Sequence, residues 1–393
     1  MTVVAEGRLV GSGRAVQVGM VDGRVTSVVE TPGAARCWVA PGFVDLQVNG
    51  YGGLDFNSDD LDAGQVTELV ARQWGQGVTC FCPTLVSASE ERITGALAVI
   101  AEARRADPLV RHAIPCVHVE GPYLSPEDGP RGAHDVAALR PPDPAELERW
   151  QRAGDGLVGI VTLAPELPGA VPYVRAASSL GVIVAVGHTA AKAEQIVAAV
   201  DAGARLSTHL GNGCHLMVPR HPNHLWAQLS EDRLQASFIA DGHHLPAATL
   251  TAMVRAKGVD RSVLVSDSVA LAGSAPGNYR DVSVGKDVTL SHDGRLSLTG
   301  TSMLAGSVRS LPDCLAWIVT HTDVGLTAAI RMASSNPSRL LGLADRGEVR
   351  VGASADLTIF ELDDKTEEFR LEATVVAGHL VGRGKGAVPV VEG

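Results

Sequence analysis

The chain of 393 residues is longer than one typical domain, so we expect a large main body and a smaller companion. It is 45% hydrophobic, which suits a soluble protein with a large core, and it has no apolar run as long as a transmembrane helix. With 33 basic and 44 acidic side chains the net charge is −11, so the surface should repel nucleic acid and anionic membranes, and we expect neither as a partner.

The first residues and the cysteines indicate a reducing compartment. Residues 1–8 include an acid and lack a long apolar stretch, which argues against a signal peptide. The six cysteines have neither zinc-ribbon nor disulfide-scaffold spacing. Cys80 and Cys82 lie two apart in a strand-like run, so their thiols share one face, and we interpret them as core residues. We therefore expect a cytoplasmic protein.

Both ends of the chain carry short alternating strands broken by glycine. At the start these are residues 14–18 and 23–28, and near the end they are residues 355–360 and 373–378. We expect residues 1–40 and 344–393 to pair into one small β-domain of the β-sandwich type, contributed by both termini. The main body would then span residues 41–343.

Within that body, apolar strand-like runs alternate with helical patterns, which predicts a parallel sheet of βα units. Residues 60–74 carry acids at the start of a helical pattern, and residues 145–150 follow a proline-rich opening suited to a first helical turn. Eight strand-like runs predict a closed (β/α)8 TIM barrel. The runs span residues 43–48, 78–85, 114–119, 157–163, 182–186, 205–208, 236–240 and 263–265.

Polar side chains follow six of these eight runs. Active sites of such barrels form at the C-terminal ends of the strands, so these side chains should converge on one mouth. Singly, each has an ordinary interpretation as a structural histidine or a helix cap, but together they are less easily explained that way. They are Gln47 and Asn49 after the first run, Glu120 after the third, His188 after the fifth, His209 after the sixth, Asp241 to His244 after the seventh and Asp267 after the eighth.

One carboxylate and two imidazoles from neighbouring strands form the three-ligand set of a catalytic zinc or iron site with an open water position. We assign Glu120, His188 and His209 to such a divalent ion, with zinc preferred and iron as the alternative. Metal-bound water becomes a nucleophile near neutral pH. Asp267 suits the proton shuttle, and His244 suits the donor to the developing oxyanion. The sequence therefore predicts metal-dependent hydrolysis.

These residues stand in motifs that resemble the amidohydrolase superfamily and, within it, the N-acetylglucosamine-6-phosphate deacetylases. The resemblance covers nearly the whole chain, and the HVEGP element is its most specific part. The motifs are PGFVDLQVNG at residues 41–50, HVEGP at 118–122, GHT at 187–189, THL at 208–210, ADGHH at 240–244, VSD at 265–267, NPSRLLG at 336–342 and GASADL at 352–357.

The resemblance implies a deacetylase of an amino-sugar phosphate with the same metal ligands and the same acid/base carboxylate. It further implies that His134 and His244 contact the sugar. The backbone amides of Asn212 and Gly213, together with Arg220, would hold the 6-phosphate. In the family that arginine reaches in from the neighbouring subunit, so the resemblance also implies a homodimer.

The chain departs from the family pattern at three places. Gln47 and Asn49 replace a His-x-His pair of many superfamily members and are poor ligands, so we expect one metal ion per subunit, with these two residues lining the site or a second ion. GNGC at residues 211–214 replaces an aromatic-Asn-Ala-Met sequence. This change opens space beside the sugar and leaves the identity of the hexosamine undecided. RHPN at residues 220–223 keeps the arginine but changes its neighbours.

Several alternatives remain. A dihydroorotase-like enzyme would bridge two metals with a carboxylated lysine, but the first lysine, Lys192, lies past the strands that would supply it. The substrate could instead be N-acetylgalactosamine 6-phosphate or an unphosphorylated N-acyl sugar. The chain could also be a metal-free binding protein that kept the fold. The role of Cys214 and of the nearby histidines 215, 221 and 224 stays open.

Overall fold

The computed structural model describes residues 2–33, 35–281, 286–383 and 390–392. The chain begins with four strands, and in the second of them buried side chains alternate with more exposed ones, as period-two structure requires when one face of a sheet is covered. In the second strand, for example, Val16, Val18 and Met20 face the core. The strands are β1 (Thr2–Leu9), β2 (Ala15–Val21), β3 (Arg24–Glu30) and β4 (Trp38–Pro41).

The barrel strands come next. They are buried along nearly their whole length, as parallel strands with a filled interior and covering helices must be. Eight of them form one parallel sheet in the order β14-β13-β12-β11-β10-β9-β8-β5, and each of the eight predicted runs overlaps one of these strands. In chain order the strands are β5 (Phe43–Val48), the hairpin β6 (Gly50–Tyr51) and β7 (Leu54–Asp55), β8 (Val78–Val86), β9 (Val117–Glu120), β10 (Val158–Leu163), β11 (Ile183–Val186), β12 (Leu206–Ser207), β13 (Gln235–Ile239) and β14 (Ser262–Val265).

The first and last barrel strands meet just beyond the end of β14. Val48 and Ser268 form a parallel bridge. The amide of Asn49 donates to the Ser268 carbonyl at 2.8 Å, and the amide of Asp267 donates to the Gln47 carbonyl at 3.0 Å. The predicted TIM barrel is therefore confirmed, and its closure brings together residues that lie more than 200 positions apart in the sequence.

Helices cover the outside of the barrel. Asp62 caps the first of them, since its side chain accepts from the Gln65 amide while the Gln65 side chain accepts from the Asp62 amide. The helix predicted from residue 60 consequently begins at Ala63. The helices are α1 (Ala63–Trp74), α2 (Glu90–Ala106), α3 (Pro108–Ala113), α4 (Pro144–Ala153), α5 (Ala170–Ser179), α6 (Ala193–Ala202), α7 (His224–Ser230), α8 (Ala247–Lys257), α9 (Leu311–His321), α10 (Leu326–Ala333) and α11 (Ser335–Leu340), with 3-10 turns at Val136–Ala138 and Val259–Arg261.

A small antiparallel sheet follows β14, and the sequence reasoning did not anticipate it. Its strands are β15 (Gly277–Asp281), β16 (Lys286–Leu290) and β17 (Leu296–Leu298). The sheet packs on Val269 and Ala305, and the Lys286 ammonium donates to the Ala133 carbonyl at 3.0 Å. This sheet is thereby connected to the loops at the C-terminal end of the barrel, where the polar strand ends lie.

The last strands return to the sheet formed by the N-terminus. They are β18 (Leu357–Asp363), β19 (Glu368–Val376), β20 (His379–Arg383) and β21 (Val390–Glu392). The sheet runs β20-β19-β18-β4-β1-β2-β3, with β21 also paired to β1, so the expected pairing of the two chain ends is confirmed. Residues 384–389 and 393 of the predicted C-terminal segment lie outside the described residues. The division at residues 41 and 344 stays a prediction.

An aromatic cluster joins this sheet to the barrel. The Phe43 ring at the start of β5 lies 6.1 Å from Phe360 and 6.0 Å from Phe369, measured between ring centroids. The two sheet phenylalanines stack at 4.7 Å. Packing of two buried rings and one half-buried ring at this junction holds the terminal sheet against the N-terminal end of the first barrel strand.

Within the described part of the chain, no helix is both long and apolar enough to cross a membrane.

Candidate metal centre and active site

The centre of the site is the carboxylate of Glu120 at the end of β9. It is buried, and three side chains approach its Oε1 atom: Gln47 Nε2 at 3.0 Å, His209 Nε2 at 2.9 Å and His188 Nε2 at 3.4 Å. Burial alone would raise the pKa of Glu120, but hydrogen bonding and charge from His188 and His209 outweigh it and hold the pKa well below the usual range. The carboxylate is therefore an anion at neutral pH.

A backbone carbonyl group fixes the tautomer of the His188 imidazole. Its Nδ1 lies 2.8 Å from the Pro130 carbonyl oxygen, which can only accept, so Nδ1 carries the hydrogen. In the neutral ring, Nε2 then presents a lone pair toward the Glu120 carboxylate at 3.4 Å. Two electron-pair donors that face each other in a buried place need a cation or a proton between them.

Two further histidines complete the cluster. His134 and His209 both pack edge-on against the His188 ring, with centroid distances of 4.5 and 4.9 Å. Burial and then the neighbouring His188 lower the pKa of His134 to about 3, so this imidazole is neutral and has a free lone pair. The Nδ1 atoms of His134 and His209 are buried without a hydrogen-bond partner within the described chain.

This donor set fits a divalent cation. Ligand atoms of Glu120, His134 and His188 lie within 4.8 Å of one another, and all three residues are buried. His209 also reaches the Glu120 carboxylate. The cluster therefore contains His134 in addition to the three ligands predicted from the sequence. A buried carboxylate with neutral imidazoles is the ligand chemistry of zinc and non-haem iron. The protein therefore carries a Glu/His/His cluster able to bind a divalent metal, as the amidohydrolase pattern requires.

Three residues at the barrel mouth have an unusual backbone conformation. His188, His209 and Asp267 have φ angles of 48°, 28° and 49°, in the left-handed region that residues other than glycine rarely adopt. Each stands two residues after the end of a barrel strand. Such conformations persist when the surrounding structure imposes them, and they cluster at functional sites.

Asp267 stands beside this cluster. It is buried and accepts a hydrogen bond from Asn49 Nδ2 at 2.9 Å. Burial, followed by the negative charge of Glu120, raises the pKa of Asp267 to about 6. A carboxyl group that changes protonation near neutral pH can both accept and return a proton, which is the property that a shuttle needs. Asn49 and Gln47, which the sequence left as site-lining residues, are thus occupied as hydrogen-bond donors to Asp267 and Glu120.

A second carboxylate, Asp241, orients His244. Its Oδ2 accepts from His244 Nδ1 at 2.7 Å, and its Oδ1 accepts the backbone amides of His243 and His244 at 2.9 and 2.8 Å. Burial would raise the pKa of Asp241, but the contacts with His244 lower it to about 2. The sequence placed Asp241 in the motif after the seventh run but gave it no role. The spacing of three residues between Asp241 and His244 was the sequence signal that could have indicated this contact.

These groups open into a cavity of about 1090 Å³ at the C-terminal end of the barrel. The cavity is lined by predicted site residues from separate loops, namely Asn49, Glu120, His134, His188, His209, Asn212, Gly213, His244 and Asp267. Among the described residues, no lysine or arginine lines it. The residues at 302–306 also line it, and the sequence reasoning missed them because they lie in a loop without periodicity or motif.

The predicted phosphate-binding residues separate into two groups. Asn212 and Gly213 line the cavity, but the Asn212 amide donates to the His209 carbonyl at 3.0 Å. A Cβ atom on Gly213 would lie 2.7 Å from His188 Nδ1, so the loop passes directly against the metal cluster. Arg220, in contrast, is exposed and lies outside the cavity lining of its own chain.

Two further histidines, His215 and His224, follow the residues of the metal cluster in the chain. His215 Nε2 lies 3.2 Å from the Glu127 carboxylate. His224 is buried at the start of α7, and burial lowers its pKa.

Cys214 lines the cavity and, like the other five cysteines, is free. Cys80 and Cys82 are buried in the barrel interior, as the sequence predicted.

Comparisons with known proteins agree with this architecture. The Amidohydrolase family matches residues 38–381. The chain is 36% identical to N-acetylglucosamine-6-phosphate deacetylase of Bos taurus over 366 residues, which is 90% of this chain and 85% of that one. It is 34% identical to N-acetylgalactosamine-6-phosphate deacetylase of Escherichia coli O157:H7, over 81% of each chain.

A solved structure shares the whole fold. It is an alanine variant of the N-acetyl-D-glucosamine-6-phosphate deacetylase of Mycobacterium smegmatis, determined in complex with N-acetyl-D-glucosamine-6-phosphate. The two structures superpose with a TM-score of 0.83 at 31% sequence identity, covering 94% of this chain and 95% of that one. On the match of residues 38–381, the barrel and the buried Glu/His cluster at its mouth, this chain belongs to the amidohydrolase family.

Proposed function

We propose that the protein hydrolyses the acetamide of N-acetylglucosamine 6-phosphate, releasing acetate and glucosamine 6-phosphate in amino-sugar catabolism. The observation that carries this proposal is the joint position of Glu120, His188 and His209 with Asp267 at one cavity. Relatives of this chain that cover most of its length carry the name of that activity.

One divalent ion per subunit, zinc with iron as the alternative, would be held by Glu120, His188 and His209. Gln47 and Asn49 stand where many members of the superfamily have a His-x-His pair, and this supports a single ion, because their neutral amides are weaker ligands than imidazoles. When bound, the ion lowers the pKa of a water molecule and polarises the acyl carbonyl. His134 either joins this ligand set or contacts the sugar, since its Nε2 lies 3.9 Å from the same carboxylate.

Asp267 moves the proton in this reaction. In its ionised form its carboxylate accepts a proton from the attacking water, and in its protonated form it delivers that proton to the departing amine nitrogen. Asn49 holds the carboxylate in place through the 2.9 Å hydrogen bond to Oδ1. Burial excludes bulk water, which keeps the transferred proton within the site.

His244 stabilises charge on the substrate. Its Nδ1 is engaged by Asp241, so only Nε2 is available for the cavity that this residue lines. In its protonated form the imidazole can donate through Nε2 to an oxyanion or to a sugar hydroxyl. Asp241 therefore sets the orientation of His244.

Phosphate recognition favours a permanent positive charge, and no lysine or arginine of the described residues lines the cavity. Asn212 and Gly213 offer backbone contacts at its edge, and Arg220 projects into solvent. We therefore propose a homodimer in which Arg220 reaches the neighbouring active site. Leu216 and Met217, in the same loop, are 102% and 89% exposed in the single chain, which suits burial against a second copy.

N-acetylgalactosamine 6-phosphate is the second candidate substrate. It is favoured by the 34% identity to the Escherichia coli deacetylase named for that sugar and by the altered loop at residues 211–214. A cytoplasmic location suits the six free cysteines.

The deciding experiment measures amine release from N-acetylglucosamine and N-acetylgalactosamine, each with and without the 6-phosphate. We expect the phosphorylated glucosamine derivative to have the highest kcat/KM. A higher value for the galactosamine derivative would transfer the assignment to that sugar. Failure to bind zinc or iron, with no turnover of any of the four compounds, would leave a sugar-binding protein as the better account.

A further inference from the structure

The cavity is chemically divided. One part of its lining carries the Glu/His cluster and Asp267, and another part is apolar. We call the second part the apolar wall; its members are Val86, Ile239, Val269, Met303, Leu304 and Ala305. Three of these members, Ile239, Val269 and Ala305, are almost fully buried. The wall is therefore a fixed part of the protein surface.

The apolar wall lies next to the acid/base carboxylate. The Ser307 amide donates to the Asp267 carbonyl at 3.1 Å, and the Val269 amide donates to the Ser307 carbonyl at 3.0 Å. A Cβ atom on Gly306 would lie 2.4 Å from Val269 Cγ1, so the two segments are in close contact. The loop that carries Met303 and Leu304 is thereby held beside Asp267 and not at a remote rim.

This position selects which part of a substrate the wall contacts. The carbons of a hexosamine ring bear polar substituents, so the acyl group is the largest apolar part of an N-acyl hexosamine. The acyl chain begins at the carbonyl carbon that reacts beside Asp267. An apolar surface at that point removes alkyl groups from water, and each buried methylene favours binding.

The cavity also has room beyond an acetyl group. Its volume of about 1090 Å³ lies just above the range of about 300–1000 Å³ that accommodates drug-sized ligands. A monosaccharide phosphate with a two-carbon acyl group is smaller than such ligands. The apolar wall lines the same cavity as the Glu/His cluster and Asp267.

We propose that this site hydrolyses N-acyl amino-sugar phosphates whose acyl chain is longer than acetyl, with the chain lying along the apolar wall. The inference rests on the proposed deacetylase function and extends its substrate class. The amide bond breaks as in the acetyl case: water supplies the hydroxyl of the released carboxylic acid, and its proton goes to the amine nitrogen.

The test compares N-acetyl, N-propanoyl, N-butanoyl and N-hexanoyl glucosamine 6-phosphate by the rate of primary-amine release from metal-loaded enzyme. We expect kcat/KM for the butanoyl compound to equal or exceed that for the acetyl compound. A pocket fitted to acetyl discriminates by roughly 10–200-fold for each added methylene. Normal acetyl turnover with a butanoyl value more than about 100-fold lower would therefore overturn the inference alone. No turnover of any compound, acetyl included, would instead overturn the proposed function.

Binding gives a second readout that does not depend on turnover. Calorimetry with the Asp267→Asn variant should give the butanoyl compound an affinity at least equal to that of the acetyl compound. A several-fold weaker affinity for the butanoyl compound would contradict the inference.

Variants of the wall test its role directly. Met303→Trp fills space along the wall and should lower the butanoyl-to-acetyl ratio of kcat/KM by about tenfold or more, whereas Leu180→Trp should leave it unchanged. Leu180 follows α5 and is 57% exposed, away from the cavity lining. If Met303→Trp does not fold, Met303→Phe provides a smaller increase in volume. Equal losses of kcat/KM on both substrates in the folded variant would mean that the wall does not contact the acyl chain.

Discussion

Replacement of Asp267 by asparagine separates proton transfer from metal binding. The amide has nearly the size of the carboxylate, and its oxygen can still accept the hydrogen bond from Asn49. It cannot take a proton from water. Glu120, His188 and His209 are unchanged, so the variant should bind as much metal as the parent.

The expected loss follows from the role of the group. General acid–base catalysis contributes about 10²- to 10⁴-fold to a rate, which corresponds to about 3 to 5 kcal/mol in the activation barrier. We therefore expect kcat to fall by at least about 100-fold for Asp267→Asn, with little change in KM. Amine release from N-acetylglucosamine 6-phosphate measures the rate, and elemental analysis measures the metal.

A matched control replaces an exposed aspartate in the same way. Asp135→Asn alters the N-cap of the 3-10 turn at Val136–Ala138, where the side chain accepts from the Ala137 amide. This variant should retain kcat within about a factor of two, because an exposed cap contributes to local stability and not to the chemistry. An Asp267→Asn variant that binds metal and keeps more than a tenth of the parental kcat would refute the reasoning.

The pH dependence tests the same group independently. Without a cation, burial and then the charge of Glu120 raise the pKa of Asp267 to about 6. A bound cation favours the ionised form and lowers that pKa. The acid limb of the kcat profile should therefore lie below pH 6 in the parent enzyme and should be absent from Asp267→Asn. An unchanged acid limb in the variant would assign the titration to another group.

Three further changes test other parts of the structure. Arg220→Ala should raise KM for the phosphorylated sugar by about tenfold or more and leave the unphosphorylated sugar unaffected, because it removes a charge-assisted contact with phosphate; equal effects on both would remove Arg220 from that role. Removal of the metal by a chelator should abolish turnover and lower the unfolding temperature, with zinc restoring both, since binding to the native state alone stabilises it; full activity in metal-free protein would contradict the site assignment. Trp150→Ala should cost about 3 to 5 kcal/mol of unfolding free energy, measured by denaturant titration, because the side chain is fully buried and its ring stacks on Tyr123 at 5.6 Å; a loss below about 1 kcal/mol would mean that the surrounding core collapses into the cavity.

The barrel and the identity of its polar strand ends could be predicted from the sequence because both depend on local patterns. Continuous apolar runs mark strands that are buried on both faces, and parallel topology places the C-terminal ends of all strands at one edge. Glu120, His188 and Asp267 follow such runs directly, so their approximate convergence followed from strand order alone. The pairing of the two chain ends was predicted in the same way from alternation of polar and apolar residues.

The detailed arrangement of the site depends on contacts that no local pattern records. His134 reaches the cluster from an irregular loop, and the tautomer of His188 is set by the carbonyl of Pro130, 58 positions away. Asn49 and Asp267 meet across 218 positions because the barrel closes there.

The sequence by itself determined the fold class, the order of the strands and the residue types at their ends, since each follows from periodicity and from position relative to a strand. Only the tertiary structure decided which of those side chains share hydrogen bonds, that no lysine or arginine of the described residues lines the cavity, and that an apolar loop at 303–306 lies beside Asp267. The physical reason is that irregular loops carry no period, so the places of their side chains are set by barrel closure and by the surfaces on which the loops pack.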